Sequence, residues 1–317
     1  MGAPLLLDAR RVLFAGLIDY AGLFPPASLD MEAAVGEYRA ARSGPHAWML
    51  ARFICTASRL EELTGVLTAT MTVGEPSWPV SVVLDGDLAQ AASLAQSFDA
   101  HMGNAAEVVF TEVRLPAEAA TGGTDAADLV SVVARAATSI SPTVAAFLEI
   151  PRTATWEEGI PAAATAIARA GLDAGRTIGA KFRCGGTDAA AFPSARQVAH
   201  FFIACRVAGI PSKATAGLHH PVRRHDEHLD VMMHGFLNVL TASALCDRGA
   251  DEKLLTEVLE ETDPSAFTLG RAGLQWREHR IPVTSIKSVR EGQFPSYGSC
   301  SFDEPVTDLI ELAMLEA

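Results

Sequence analysis

Eight short apolar runs, most of them followed by an amphipathic helical stretch, predict an α/β chain that closes as a (β/α)8 TIM barrel. Two further observations favour closure over an open doubly wound sheet. Several runs are apolar on both faces, as strands of a covered parallel sheet must be, and no GxGxxG follows any of them. A length of 317 residues suits one such barrel with insertions, so residues 1–317 are expected to form a single domain.

The elements are expected in this order. Residues 13–23 form a short first strand, broken by Pro25-Pro26, and Ser28 or Asp30 caps a helix to Ala41. Residues 48–56 form the second strand, with a helix from Ser58 to about Ala69, and residues 80–84 the third, with a helix over 88–101. The fourth strand, 107–115, is stopped by Pro116, and a Gly-Gly loop leads to a helix over 126–139. The fifth, 144–150, ends at Pro151 before a helix over 156–170. The sixth, 178–183, precedes a helix over 195–208, and the seventh, 213–218, precedes a polar loop carrying Arg223, Arg224, Asp226 and Glu227. Helices over 234–246 and 251–261 and a hairpin over 267–280 follow, which makes a helix-plus-hairpin insertion of about 250–290 before the last strand. Residues 295–302 form that eighth strand, and 306–315 the closing helix.

Apolar residues make up 49% of the chain, enough for a large core, while the formal charge of −13 argues against nonspecific binding of a phosphate backbone. The five cysteines are scattered without a CxxC, which argues against a disulfide framework or a cysteine zinc site. Cys205 and Cys246 sit in apolar helical runs, whereas Cys184 and Cys300 fall at expected strand ends and can line a site. Residues 1–24 are apolar but interrupted by Asp8, Arg10, Arg11 and Asp19, with no signal-cleavage or myristoylation pattern. No window reaches the roughly 18 uninterrupted apolar residues of a membrane span. A cytoplasmic protein without membrane or nucleic-acid partners is the expectation, and a homo-oligomer is left open.

Barrel active sites gather at the C-terminal ends of the strands. Asp19, Glu112, Arg114, Glu149, Lys181, Arg183, Lys213, Thr215, His219, His220, Ser299, Cys300 and Ser301 lie at or near those ends, and Arg52 lies inside the second strand. Strand alternation puts Glu112 with Arg114, Lys181 with Arg183, and Lys213 with Thr215 on shared faces. Charges buried there are costly unless paired, so they are expected to form one compensating cluster, either catalytic or a purely structural ion-pair network. Lys181 and Lys213 end consecutive strands. Two ammonium groups brought together disfavour each other's protonation, and a lysine so perturbed is an amine nucleophile at neutral pH.

Five of the nine histidines fall between residues 219 and 234. His219 or His220 can serve as a general acid or base, or the two can join Glu149 in holding a divalent metal such as zinc, although no HxH or HExxH is present. Gly185-Gly186, Gly217 and Gly298-Ser299 are either ordinary tight βα turns or backbone amides arranged for an anion, with Arg183 or His219 adding charge.

These patches resemble the class I, Schiff-base aldolase barrels, deoxyribose-phosphate aldolase in particular. Leu17-Ile18-Asp19-Tyr20-Ala21-Gly22-Leu23-Phe24-Pro25-Pro26 looks like that family's Ile-Asp-His-Thr-Leu-Leu-Lys-Pro first strand. Lys181 with Gly185-Gly186, and Lys213 with Gly217, look like its paired lysines on strands six and seven. The resemblance implies that Lys181 forms a Schiff base, that Lys213 lowers its pKa, and that Glu112 stands for the strand-four acid. The chain departs from the family at Phe182-Arg183-Cys184, where the family has Thr-Ser-Thr, and at Tyr20-Ala21 in place of His-Thr; His219-His220 has no counterpart.

The expected function is that of an aldolase-type lyase, without a cofactor, acting on a small anionic metabolite: a phosphorylated or carboxylated carbonyl compound. Lys181, Lys213, Glu112, Glu149 and His219 are the expected catalytic residues. Asp19, Arg114, Arg183, Gly185, Gly186, Gly217, His220, Ser299 and Ser301 are expected to bind substrate. The alternatives are a metal-dependent hydrolase or isomerase using His219, His220 and Glu149, and a non-catalytic barrel that binds an anionic metabolite.

Overall fold

Apolar side chains on both strand faces drive the eight runs into one closed parallel sheet. The computed structural model describes residues 8–316; the start of the apolar N-terminal stretch, residues 1–7, on which the expectation of no leader partly rests, lies outside them. The chain runs through α1 (Ala9–Phe14), β1 (Ile18–Tyr20), α2 (Met31–Ser43), β2 (Leu50–Thr56), α3 (Leu60–Thr70), β3 (Trp78–Val83) and α4 (Leu88–Met102). It continues through β4 (Ala106–Arg114), α5 (Thr124–Thr138), β5 (Ala145–Glu149), α6 (Trp156–Asp173), β6 (Ile178–Arg183), α7 (Ala195–Ala208) and β7 (Ser212–Thr215). Next come β8 (Arg224–Asp226), β9 (Val231–Met233), α8 (Phe236–Asp247), α9 (Glu252–Glu260), β10 (Phe267–Gly270), β11 (Gly273–Trp276), β12 (His279–Pro282) and α10 (Val283–Gly292). The last two elements are β13 (Tyr297–Ser299) and α11 (Asp303–Glu311). The barrel order is β1-β13-β7-β6-β5-β4-β3-β2, closed and parallel throughout, which is the (β/α)8 closure that the alternation predicts.

The sequence reading misplaces the start and end of the barrel and part of the insertion. The expected strand 13–23 contains the end of a helix, three residues of strand and a turn. Asp8 caps α1 by accepting from the Arg10 amide, and Ala9 and Leu13, one helical turn apart, are buried. A run of apolar residues this short does not distinguish the two states. Strand β1 is held by what it packs against: Tyr20 joins Tyr38, Phe53 and Trp78 in an aromatic cluster under α2, and the Tyr38 hydroxyl donates to the Ala51 carbonyl. Its neighbour Asp19 points the other way, into the barrel.

Strand β7 stops at Thr215, short of the expected 218, because Ala216 and Gly217 both take left-handed φ (61° and 68°). The polar loop after it contains the antiparallel pair β8–β9, and the expected hairpin gains a third strand, β12. Helix α8 is buried around nearly its whole circumference, so its apolar sequence carries no amphipathic stripe. Helix α7 follows the sequence signals closely. Ser194 and Gln197 form a reciprocal capping box, and Gly209 closes the C-terminus at φ 68°. Helix α11 begins three residues earlier than expected, at Asp303, which brings Glu304 into its first turn. Among the described residues no helix is long and apolar enough to cross a membrane.

Candidate active site at the C-terminal mouth of the barrel

Strand register builds the site. Arg114 pairs with Glu149, Glu149 with Lys181, and Lys181 with Lys213, so four adjacent strands carry one row of charged residues. Glu112 lies two residues before Arg114, on the same face of β4. Its carboxylate bridges the two lysines: Oε2 accepts from Lys181 Nζ at 2.9 Å and Oε1 from Lys213 Nζ at 2.6 Å. Oε1 also accepts from Ser81 at 2.8 Å. Glu149 Oε2 lies 2.9 Å from Lys181 Nζ, while its Oε1 faces the Arg183 and Arg114 guanidiniums at 3.7 and 3.8 Å. Behind this row, Asp19 accepts from Lys213 at 2.5 Å, from Ser296 at 2.6 Å and from Arg52 at 3.0 Å. The Arg52 guanidinium stacks 3.5 Å above the Phe110 ring.

A cavity of about 590 Å³ opens over this row, a volume suited to a small metabolite. Glu112, Arg114, Glu149, Lys181, Arg183, Gly186, Thr215, Gly217, His219, Ser299 and Cys300 line it. The structure thus brings together four of the five expected catalytic residues at one surface. The fifth, Lys213, is behind them: its side chain is 0% exposed against 7% for Lys181, and it does not border the cavity.

Four of the expected substrate contacts also sit elsewhere. Asp19 is fully buried beneath the row, where it neutralises Lys213 and Arg52. His220 turns away to Asp308 at 2.6 Å, and the Ser301 carbonyl accepts from Ser299 Oγ. Gly185 packs on the chain: a Cβ there would meet the Gly217 Cα at 2.8 Å and the Phe192 ring at 2.7 Å. The close backbone approach of the two loops is what requires this glycine.

The charge state of Lys181 differs from the sequence expectation. Its neighbours within contact are carboxylates. Burial disfavours its charge, but Glu112 and Glu149 outweigh that and raise its pKa above the ordinary lysine value. Correspondingly, burial would raise Glu112, Glu149 and Asp19, but the lysines and arginines beside them hold all three below the usual carboxylate range. The ammonium repulsion expected from two adjacent lysines is absorbed by the carboxylate placed between them.

The rim over β7 and β13 is organised by helix α11. Glu304 and Asp308, one turn apart on that helix, accept from His219 Nδ1 (2.9 Å) and His220 Nδ1 (2.6 Å). Burial pulls the His219 pKa down, yet its hydrogen bonds to Cys300 and Glu304 prevail and lift it to about 10. The two imidazoles engage separate acids and Glu149 engages Lys181, so the ligand set His219, His220 and Glu149 is not gathered. Among the described residues no group of three or more histidines, cysteines or acids is arranged to hold a metal ion.

Sequence reasoning missed Ser81, Ser296 and Arg152. The two serines are buried polar residues whose partners are distant in sequence, and no local signal marks them. Arg152, immediately after Pro151 at the end of β5, borders the cavity and is pinned by the carbonyls of Ala190 and Phe192. Its position just past a strand end is the signal that could have found it.

No protein-family model matches the chain, and no curated protein matches it. The function therefore rests on the site itself.

Proposed function

We propose that the protein is an aldolase-type lyase that forms a Schiff base at Lys181 with a small phosphorylated or carboxylated carbonyl compound. The observation that carries this reading is the asymmetry of the two lysines. Lys181 is the amine at the cavity surface and lies between two carboxylates able to exchange its proton; Lys213 is sealed behind Glu112. The barrel is a fold common among enzymes, and the C-terminal position of the cavity is where their chemistry sits.

In the resting protein Lys181 is charged, so the amine must first lose a proton. Glu149 is the acceptor. Its carboxylate is held ionised by Lys181 and by the loosely placed Arg183 and Arg114. An anionic substrate that draws those two guanidiniums to itself removes cations from Glu149 and makes it a better base. The neutral amine then adds to the carbonyl carbon, the C=O π electrons move to oxygen, and the proton shed by the now cationic nitrogen converts that oxygen to a hydroxyl. Glu149 returns its proton as that hydroxyl leaves as water. The resulting iminium withdraws electrons from the adjacent carbon, so that a C–C bond there can break or form. Glu112 stays clamped between the lysines and keeps the dry interior neutral, while His219 provides a second proton-transfer group at the rim.

Sodium borohydride added with pyruvate, dihydroxyacetone phosphate or a short aldehyde tests this reading. A reduced adduct mapped to Lys181 is expected with at least one of these carbonyl classes. Absence of any mass increase at Lys181 across all of them would overturn it.

A further inference from the structure

Cys300 is the first residue after β13 and, alone among the five cysteines, borders the cavity. Its Sγ lies 3.9 Å from Nε2 and 4.0 Å from Nδ1 of His219, whose Nδ1 is held at 2.9 Å by Glu304 from α11. A carboxylate therefore orients an imidazole, and the imidazole touches a thiol that faces a cavity. Those are the components of an activated cysteine. The sulfur is nearly equidistant from both ring nitrogens. A small turn of the ring about the Glu304 bond aims Nε2 at it, a tightening common when a substrate arrives. Gly217 and Gly298 border the same part of the cavity and place no side chain there.

We propose that Cys300, His219 and Glu304 form a second reactive group in this cavity, in which the Cys300 thiol captures an aldehyde as a hemithioacetal. As Sγ bonds to the carbonyl carbon and the C=O π bond opens, the His219 imidazolium gives its proton to that oxygen, and the neutral imidazole so formed takes up the thiol proton. Nothing is oxidised or reduced, and no co-reactant is required. Cys300 is the nucleophile, His219 the proton carrier and Glu304 the positioning residue. This group shares the cavity and His219 with the amine chemistry at Lys181 but does not require that chemistry.

Two measurements on the folded, full-length protein test it. In the first, iodoacetamide is followed by peptide mass mapping. Cys300 should be modified first, since the other four thiols are buried away from the cavity. His219→Gln should slow the modification by about tenfold or more, and Glu304→Gln by a smaller factor, with circular dichroism unchanged. In the second, carbon-13-labelled propanal is added to the wild-type protein. A hemithioacetal carbon resonance should appear and should vanish in Cys300→Ser. An imine carbon resonates separately and reports on Lys181, so failure of one centre is distinguishable from failure of the other. Another cysteine reacting first, an unchanged rate in His219→Gln, or no resonance that depends on Cys300 would overturn the proposal.

Discussion

At and just beneath the floor of the cavity, Glu112, Glu149, Lys181 and Lys213 stand on neighbouring strands, nearly or fully buried, and each ammonium meets two carboxylates. At the rim, His219 and His220 stand on a loop and reach two acids on one face of α11, with Glu304 half-exposed. Both regions hold charge close to a prospective substrate, but by different physics. In the floor a missing partner strands a charge in a dry interior, where the cost is several kcal/mol. At the rim water substitutes for a lost partner, so each pair contributes little stability and is left to set reactivity. The floor is therefore built to fix protonation, and the rim to permit movement.

Substitutions should separate the two regions. The largest effect is expected from Lys181→Met, which should abolish the borohydride-trapped adduct; an adduct persisting at full yield on another residue would break the assignment of the floor as the reactive surface. Lys213→Met should leave Asp19 and Glu112 without their shared cation and destabilise the protein by about 3–5 kcal/mol in urea unfolding. A change below about 1 kcal/mol would mean that the floor behaves like the rim.

Acid should act on the floor next. Asp19, Glu112 and Glu149 have folded pKa values below their ordinary ones, with reference values of 3.8 for Asp and 4.5 for Glu. Their contribution is fully present above those reference values and is lost as pH falls toward the depressed folded values. Between pH 5 and pH 3 stability should drop by on the order of 2 kcal/mol, read from the urea midpoint. Flat stability over that window would show that these carboxylates titrate alike in the folded and unfolded chain.

The smallest effects belong to the rim. Glu304→Gln and Asp308→Asn should each change stability by less than about 1 kcal/mol. His219, with its pKa raised from 6.5 to about 10, contributes stability that is complete below 6.5 and lost as pH rises through 10. Its imidazole should stay protonated at pH 8 by NMR in the wild type and titrate lower in Glu304→Gln. A wild-type His219 titrating near 6.5 would dissolve the distinction between the rim and an ordinary solvated loop.

Much of the floor was legible from the chain. Period-2 alternation put Glu112 with Arg114 and Lys181 with Arg183, and Pro116, Pro151 and the glycines marked where strands end. What alternation cannot supply is register. It gave no reason to expect Glu112 between the two lysines, so the sequence reading predicted lysine repulsion where the structure has a bridging carboxylate. Asp19 was expected among the substrate contacts for the same reason: its strand end was known, but not its depth. At the rim, the N-terminus of α11 decides everything, and a shift of three residues in that boundary is what brings Glu304 to His219.

The sequence by itself determined the alternation, the number of strands and most of the strand-end residues, because each follows from local periodicity and from residues that punctuate it. Only the tertiary structure decided which charge meets which. Closing the barrel sets the stagger between strands and brings Asp19, Ser296 and Lys213 together from opposite ends of the chain. In that dry interior a difference of a few ångströms determines whether a buried ammonium faces another cation or a carboxylate.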